Sequence, residues 1–264
     1  SIIWASGGAE TLQTLITGSQ DIAVGVGALA VLGAYAKGAP VVFMGQTNSG
    51  AASVYWYVPA DSPIKTVKDL QGKQLVFSQP GSTTHFAAQY LLRSQKVDAK
   101  LVSVGGMAAS RTQVMSGQVD TGWATMPTNF DLLRAGKIRI LVQAEEIPEI
   151  QHIATSTIAA NADWLKANRD VAKRFMRAYW KGVLVNWFSG DRGLTRYAKM
   201  WKLELDDVRE MWQRSNFRTA MTIPVGGLDD LNKQAVADKY TKELLTKEQL
   251  AKIADYVFDP RFDE

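Results

Sequence analysis

Cysteine is absent from the 264-residue sequence. Without a thiol the chain cannot form a disulfide, use a cysteine nucleophile or bind zinc through sulfur. Histidine is scarce as well, with only His85 and His152. The sequence also lacks a Gly-x-Ser-x-Gly elbow, a Gly-Lys-Ser/Thr phosphate loop and a His-Glu-x-x-His motif. We therefore expect no catalytic residues, no metal site and no cofactor.

Charge of one sign is not concentrated in any tail. The net charge is +4, and acids and bases alternate along the chain. The most basic region, 166–202, has the spacing of a long helix with a solvated face. A compact basic patch with interleaved aromatics, as nucleic acid binding requires, is not visible. The sequence thus predicts no nucleic-acid partner.

Long hydrophobic runs are also missing. The uncharged run at 22–36 is shorter than the roughly 20 residues of a membrane-spanning helix, and its glycines favour a strand, a turn and a short helix. We expect no membrane span. Ser1 leads directly into an apolar triplet without the pattern of a signal peptide, so we expect that any targeting segment has been removed from this chain.

Short apolar runs alternate with helical patterns as far as Glu146, which predicts an α/β fold with largely parallel sheets. The predicted strands lie at 2–4, 22–24, 40–44, 53–58, 75–77, 101–104, 121–124 and 138–143. After Glu146 the pattern becomes helical, with predicted helices at 162–188, 194–201, 206–214, 228–240 and 247–257. The C-terminal portion should therefore be helical.

An internal repeat relates two segments at an offset of 99 residues. "GGAETLQTLITGSQDIAVG" begins at Gly7, and "GMAASRTQVMSGQVDTGWA" begins at Gly106. Each copy contains a glycine-bearing loop, a helix, a Gly-x-x-Asp turn and a buried strand. Two such units in one chain predict two similar lobes.

Four stretches could hold a ligand. Gly81-Ser82-Thr83-Thr84-His85 follows a strand and opens a helix, where free amides, hydroxyls and the positive end of the helix dipole suit an anion. The same residues would equally serve as a simple helix cap. Gly7-Gly8-Ala9-Glu10 presents similar geometry, with Glu10 either favoured by the dipole or facing an amine. Gly25 to Ala28 and Ala124 to Pro127 lie at the ends of strands, where open α/β sheets place ligands.

Four stretches in this order resemble one family. "GGAETLQTLITGSQDIAVG", "TVKDLQGKQLVFSQPGSTTHF", "SGQVDTGWATMP" and "AGKIRILV" are similar to the nitrate/sulfonate/taurine-type substrate-binding proteins of bacterial ABC importers, a group that includes binders of thiamine-pyrimidine precursors. The segment "ANADWLKANRDVAKRFMRAYWKG" resembles the family's long helix. The likeness covers most of the chain.

The resemblance implies a two-lobed periplasmic-binding-protein fold of type II, with two crossover strands and a helical C-terminal portion. Residues 1–60 and 144–264 would form lobe 1, and 61–143 lobe 2, with hinges near 46–53 and 142–146. Family members usually begin with a further strand and helix, and we expect that unit to be absent from this chain.

The family's ligand contacts, carried over residue by residue, imply a binding set in the cleft between the lobes. Its members are Gly8, Glu10, Val26, Gly27, Ser82, Thr83, Thr84, His85, Thr125 and Met126. Many relatives have an aromatic-acidic-Pro triplet at the position of Thr125-Met126-Pro127. The replacement should widen the pocket and make it less polar, which disfavours a purely taurine-like ligand.

The resemblance further implies a monomeric solute-binding protein without catalytic activity. It would capture a small organic anion (a sulfonate, nitrate or an aromatic carboxylate) and deliver it to a membrane permease. It would be periplasmic or lipid-anchored outside the cytoplasm. The alternative is an enzyme on the same scaffold, acting on a small anionic or pyrimidine substrate with His85 and Glu10 as a proton-transfer pair. A regulatory sensing domain is a third possibility, although the helical portion after Ala162 does not suit it.

Overall fold

The computed structural model describes residues 2–5, 8–51, 53–215 and 223–261. In these residues the chain forms eight strands and eleven α-helices. The strands are β1 Ile22–Gly27, β2 Val41–Ser49, β3 Val54–Pro59, β4 Gln74–Phe77, β5 Lys100–Ser103, β6 Gly122–Thr125, β7 Ile138–Gln143 and β8 Ala154–Asn161. The helices are α1 Gly8–Ile16, α2 Ala28–Ala36, α3 Thr83–Gln95, α4 Met107–Met115, α5 Phe130–Arg134, α6 Ala162–Ala167, α7 Arg169–Phe188, α8 Asp191–Trp201, α9 Leu205–Arg214, α10 Leu228–Ala237 and α11 Lys247–Ile253.

The first sheet has the strand order β1-β8-β2, with β8 antiparallel to both neighbours. β1 and β2 therefore run in the same direction. Every residue of β8 is buried. The sequence pattern does not predict this strand, because "ATSTIAAN" consists of small and hydroxyl residues without alternation. Such residues fit where both faces of a sheet are covered, and the hydrogen bonds of the two neighbours hold the strand in place.

The second sheet has the order β6-β3-β7, with β3 antiparallel to both neighbours, and β4 pairs with β5 in parallel. Side chains connect the two groups, since Trp56 Nε1 donates to the Val76 carbonyl at 2.8 Å and the Val76 amide donates to Thr121 Oγ1 at 3.1 Å. The prediction of largely parallel sheets is wrong. One antiparallel strand, β8 or β3, lies between parallel neighbours in each half.

We call the part of the molecule built on the first sheet the first half, and the part built on the second sheet and the β4–β5 pair the second half. The chain crosses between these halves twice, from β2 to β3 and from β7 to β8. The two crossings contact each other, because the Ser53 amide donates to Glu145 Oε1 at 3.0 Å. This pattern confirms the type II fold with two crossover strands. We propose that the second lobe begins at β3 and not at residue 61, since the ladder of β3 joins it to β6 and β7.

The repeat predicted from sequence has matching geometry in both copies. α1 and α4 are both nine residues long and begin 99 positions apart. Each is followed by a left-handed glycine, Gly18 with φ 72° and Gly117 with φ 74°. These glycines are required because a side chain at such a φ would be strained. Gly7, the first residue of the predicted repeat, lies outside the described residues.

Two further predictions are corrected at the edges of the fold. The run at 2–4 is coil, and Trp4 makes an edge contact with the Trp201 ring at 5.5 Å instead of joining a strand ladder. The long helix predicted at 162–188 is two helices, α6 and α7, which meet at Asn168. Asn168 leaves the helical conformation with φ −130°, and its side-chain amide donates to the Trp164 carbonyl at 2.9 Å.

The helical C-terminal portion packs through α7 on the first sheet. Met176 and Val183 of α7 are buried together with Met44, Ile158 and Phe258 in one apolar cluster. The predicted strand, turn and helix at 22–36 are present as β1 and α2. None of the described helices is long and apolar enough to cross a membrane.

Candidate functional site: a junction of three helix N-termini

The start of α1 lies against the end of β1. β1 is interrupted by a bulge between Val24 and Val26, where Gly25 has φ 84°, a conformation that favours glycine. A β-carbon placed on Gly8 would lie 3.3 Å from the Gly25 carbonyl oxygen and 3.6 Å from the Gly27 amide nitrogen. The bulge therefore brings the first turn of α1 next to the residue that begins α2.

Gly27 is the N-cap of α2 and also touches the start of α3. A β-carbon on Gly27 would overlap the Gly81 carbonyl oxygen and would lie 3.4 Å from the Cα of Ser82. Ser82 is the N-cap of α3. The N-termini of α1, α2 and α3 therefore meet at one place. Each contributes a partial positive charge of about half a unit, which favours an anion.

The three hydroxyls predicted to hold an anion all have protein partners. Ser82 Oγ accepts from the His85 amide at 3.2 Å, as a helix cap does. Thr84 is buried, and its Oγ1 accepts from the Ser78 amide at 2.9 Å. Thr83 Oγ1 donates to the Thr155 carbonyl at 3.0 Å. By contrast, the amides of Thr83 and Thr84 have no acceptor in the part of the chain that the structure describes.

His85 is a neutral acceptor in this geometry. Its ring stacks on Phe77 with centroids 4.3 Å apart, and its Nδ1 lies 3.3 Å from the Gly81 amide and 3.1 Å from Tyr240 Oη. An amide donor requires a lone pair on Nδ1, which assigns the proton to Nε2. Burial lowers the pKa of His85 below its ordinary value of 6.5, and the Asp238 carboxylate opposes that shift. His85 therefore adds no positive charge to the junction at neutral pH.

Tyr240 joins the first half of the molecule to α3. Its Oη lies 3.1 Å from His85 Nδ1, and its ring is near Gly81 on one side and Gly33 of α2 on the other. Burial raises the pKa of Tyr240 to about 12, so the phenol stays protonated and can donate to the imidazole.

Strand β8 forms the floor beneath these helix ends. Val26 is fully buried, and its carbonyl accepts from Thr157 Oγ1 at 3.0 Å. The Thr155 carbonyl accepts a hydrogen bond from Thr83 Oγ1, and Thr155 Oγ1 accepts one from the Ala51 amide at 2.9 Å. The central strand thus holds both halves of the chain through hydroxyl contacts.

The remaining predicted residues have other surroundings. Thr125 Oγ1 lies 3.3 Å from Met107 Sδ, and Met126 is buried with its sulfur 3.9 Å from Ser215 Oγ. Glu10 is exposed in the first turn of α1, where the helix dipole stabilises its carboxylate. The structure therefore brings Gly8, Val26, Gly27, Ser82 and Thr83 together by direct contact, whereas Thr125 and Met126 contact α4 and the segment after α9.

Sequence reasoning missed Thr155, Thr157 and Tyr240. The two threonines lie in the strand that showed no alternation, and Tyr240 follows α10 without any motif around it. No local pattern in the sequence marks them. The described residues contain no group of three or more acidic, histidine or cysteine side chains that could hold a metal ion.

A family model described as "NMT1/THI5 like" matches residues 1–185 of the chain. Comparison with curated protein sequences gives no match. Among solved structures, the periplasmic aliphatic sulphonate binding protein SsuA from Escherichia coli matches with a TM-score of 0.72 and 20% identity. The match covers 92% of this chain and 79% of that chain.

Two further structures show the same fold. The alkanesulfonate-binding protein SsuA from Xanthomonas axonopodis pv. citri, bound to MOPS, matches with a TM-score of 0.75 and 20% identity over 95% of this chain and 86% of that chain. The desulfurization enzyme DSZB matches with a TM-score of 0.60 and 17% identity over 89% of this chain and 82% of that chain. At these identities the likeness establishes the periplasmic-binding-protein fold, which binding proteins and an enzyme share.

Proposed function

The chain belongs to the NMT1/THI5-like family, and from that premise we propose that it is the solute-binding component of an ABC importer. It captures a small organic anion reversibly in the cleft between its lobes and delivers it to a membrane permease. The class of ligand is a sulfonate, nitrate or an aromatic carboxylate. The protein acts outside the cytoplasm, in the periplasm or attached there by a lipid, and it acts as a monomer.

The observation that carries this proposal is the meeting of three helix N-termini. α1 and α2 belong to the half of the molecule built on the first sheet, and α3 belongs to the other half. An anion bound at the three helix ends therefore contacts both halves at once. Binding would then stabilise the closed arrangement, because the ligand gains the α3 contacts only when the halves are together. The unpartnered amides of Thr83 and Thr84 are the donors that we assign to the anion.

The polar groups at the junction bear on the ligand. The atoms nearest to Gly8 and Gly27 are backbone atoms, and the Ser82 side chain hydrogen-bonds to a hydroxyl and an amide. Amides and hydroxyls bind a delocalised anion by hydrogen bonds without a fixed countercharge. A singly charged sulfonate, carboxylate or nitrate fits this environment better than a multiply charged phosphate.

Substitution of Ser82 tests the anion site directly. Ser82→Asp keeps a good helix N-cap but places a carboxylate at the junction, whereas Ser82→Asn keeps the cap without the charge. We expect both variants to fold with similar stability. Calorimetry should show that Ser82→Asp loses affinity for the anion by about tenfold or more, while Ser82→Asn stays within a few fold of the parent.

Titration with a panel of compounds identifies the class of ligand. Alkanesulfonates, nitrate, aromatic carboxylates and pyrimidines would each be titrated into the parent protein. Binding of at least one anion without consumption of it supports the proposal. Turnover of a compound, or equal loss of affinity in the Asp and Asn variants, would contradict it.

An enzyme on this scaffold is the second candidate, and the likeness to DSZB favours it. In that case His85 would take part in proton transfer, with Glu10 as its partner. Mass spectrometry of candidate substrates incubated with the protein measures this directly. Product that appears with the parent and disappears with His85→Ala, while the compound still binds, would establish catalysis. Catalysis with unchanged product in His85→Ala would exclude His85 from that role.

A further inference from the structure

The hairpin of α7 and α8 contains most of the unbalanced positive charge of the chain. Between 171 and 203 the sequence has eight lysines and arginines and one acidic residue, Asp191, although the whole chain has a net charge of only +4. The rest of the chain is therefore acidic on balance. This basic region was predicted from sequence to be an ordinary solvated helix face, but its structure has two features that such a face does not need.

The first feature is that five of these cations lack a carboxylate partner among the described residues. Asp191 is bound to Arg209 at 2.6 Å, and Arg174 pairs with Asp170 at 3.5 Å. Five others on the two helices form no ion pair with any residue that the structure describes. These are Arg177, Lys181, Arg192, Arg196 and Lys199. Their charge is available to an external partner.

The second feature is an exposed apolar surface among these cations. Met200 is 58% exposed, Phe188 48% and Leu184 39%. Between the helices lies a groove of about 290 Å³, lined by Ala178, Gly182, Val185, Asn186, Arg196 and Met200. We call the apolar residues 184, 185, 188 and 200 together with the five unpaired cations the basic-apolar face.

We propose that the basic-apolar face docks on the surface of a bilayer that contains anionic lipids. Long basic side chains reach the headgroups while their stems and the neighbouring apolar side chains enter the interface. A cluster of four to eight lysines and arginines on an amphipathic helix is a typical site for anionic lipid. An acidic helix from a partner protein is the other occupant to consider, but it would need all of the exposed apolar residues inside the groove. Val185 and Met200 line the groove, whereas Leu184 and Phe188 do not, and the cations extend over both helices.

The docking is peripheral and reversible. The face offers a few apolar side chains, which contribute much less than a spanning helix, so charge should dominate the adsorption. Adsorption should therefore weaken steeply as salt is added, because screening shortens the range of the attraction. It requires no ligand in the cleft and is independent of the proposed function.

Vesicle sedimentation tests the proposal with the full chain. The parent protein would be mixed at low salt with vesicles of phosphatidylcholine alone, or of an equimolar mixture of phosphatidylcholine and phosphatidylglycerol. We expect sedimentation with the mixed vesicles only. The double variant Arg196→Gln/Lys199→Gln should lower the partition coefficient by about thirtyfold, since each cation near an anionic surface contributes on the order of fivefold.

A charge-matched control is available in the other half of the molecule. Lys73 and Lys100 are exposed near the edge of the β4–β5 pair, far in sequence from the hairpin. Lys73→Gln/Lys100→Gln changes the net charge by the same amount and should leave the partition coefficient within about twofold of the parent. An equal loss in both double variants would overturn the proposal, because it would show a response to net charge alone.

The apolar part of the face is tested by Phe188→Ala/Met200→Ala, with the melting temperature as a check on folding. Both side chains are largely exposed, so the fold should be kept while vesicle binding falls. Unchanged binding would overturn the assignment of these side chains to the interface. Binding to a soluble polyglutamate peptide, without binding to the mixed vesicles, would overturn the proposal and would indicate an acidic protein partner instead of a bilayer.

Discussion

Gly27 and Gly81 are in contact across the two halves of the chain, so closely that a β-carbon on Gly27 would overlap the Gly81 carbonyl oxygen. Gly27 begins α2 and Gly81 precedes the cap of α3. The close approach is possible because Gly27 has no side chain. Closure of the halves therefore depends on the absence of one methyl group.

Gly27→Ala should hold the halves apart. A backbone carbonyl cannot move aside as a flexible side chain can, so the added methyl group must separate α2 from α3. We expect the affinity for the ligand to fall by about tenfold or more, equivalent to at least 1.4 kcal/mol. Small-angle X-ray scattering should show a larger radius of gyration, and calorimetry measures the affinity.

Gly182→Ala is the matched control for that substitution. A β-carbon on Gly182 meets no atom within 4 Å, and the residue lies inside a helix. We expect unchanged scattering and affinity and a gain in stability of up to about 1 kcal/mol, the difference in helix propensity. A similar expansion in both variants would show that the Gly27 effect is not steric.

The free energy of unfolding should fall as the pH drops below about 6.5. The folded pKa of His85 is lowered by burial, so the unfolded chain binds more protons in the window just below the ordinary value of 6.5. Protonation of Nδ1 would also place a proton against the Gly81 amide and the Tyr240 hydroxyl. Urea unfolding of the parent between about pH 7 and about pH 5 measures the slope.

His85→Gln separates this residue from the other titrating groups. The variant lacks the imidazole, so its stability should change less over the same pH interval than that of the parent. The carboxylates titrate in both proteins, so their contributions to the pH dependence of stability cancel in the comparison. Equal slopes in parent and variant would mean that His85 does not control the pH dependence.

Thr84→Val should destabilise the start of α3. Thr84 is buried, and its hydroxyl is the acceptor of the Ser78 amide at 2.9 Å. Valine has nearly the same shape but leaves that amide without a partner, which costs about 1–3 kcal/mol. Denaturant titration measures the loss.

Thr83→Val provides the comparison for Thr84→Val. It removes the bond from Thr83 to the Thr155 carbonyl, which joins the two halves at a half-buried position. We expect a smaller loss of stability, about 0.5–1.5 kcal/mol, together with weaker ligand binding. A smaller loss of stability in Thr84→Val than in Thr83→Val would show that the hydrogen bond to the Ser78 amide does not stabilise the turn before α3.

The ion pair between Arg93 and Asp238 should add to the closure of the halves. Arg93 is on α3 and Asp238 follows α10, with 3.7 Å between their charged atoms. The Asp238 side chain is only 6% exposed, so Arg93→Met leaves a buried carboxylate without a cation. We expect a loss of about 1–3 kcal/mol, and a smaller loss in Asp238→Asn. A double-mutant cycle that gives no coupling energy would contradict this role.

Elements that depend on local chemistry can be predicted from the residues that form them. Ser82 caps α3 because a serine before an apolar helical pattern accepts from the amide three residues later, and that bond needs no distant partner. The repeat at 99 residues predicted α1 and α4 and the Gly-x-x-Asp turns after them, where the structure has Gly18 and Gly117 with positive φ. The alternation of apolar strands and helices up to Glu146 was sufficient for the α/β class, but not for the antiparallel strand in each sheet.

Contacts between residues distant in sequence depend on the fold of the whole chain. β8 lies at the centre of its sheet although its sequence has no alternation, because the hydrogen bonds that define it come from β1 and β2. Tyr240 reaches His85 from 155 positions away, and Gly27 meets Gly81 through the closure of two halves. Such contacts depend on how distant parts of the chain pack together, and the local sequence around each residue does not predict them.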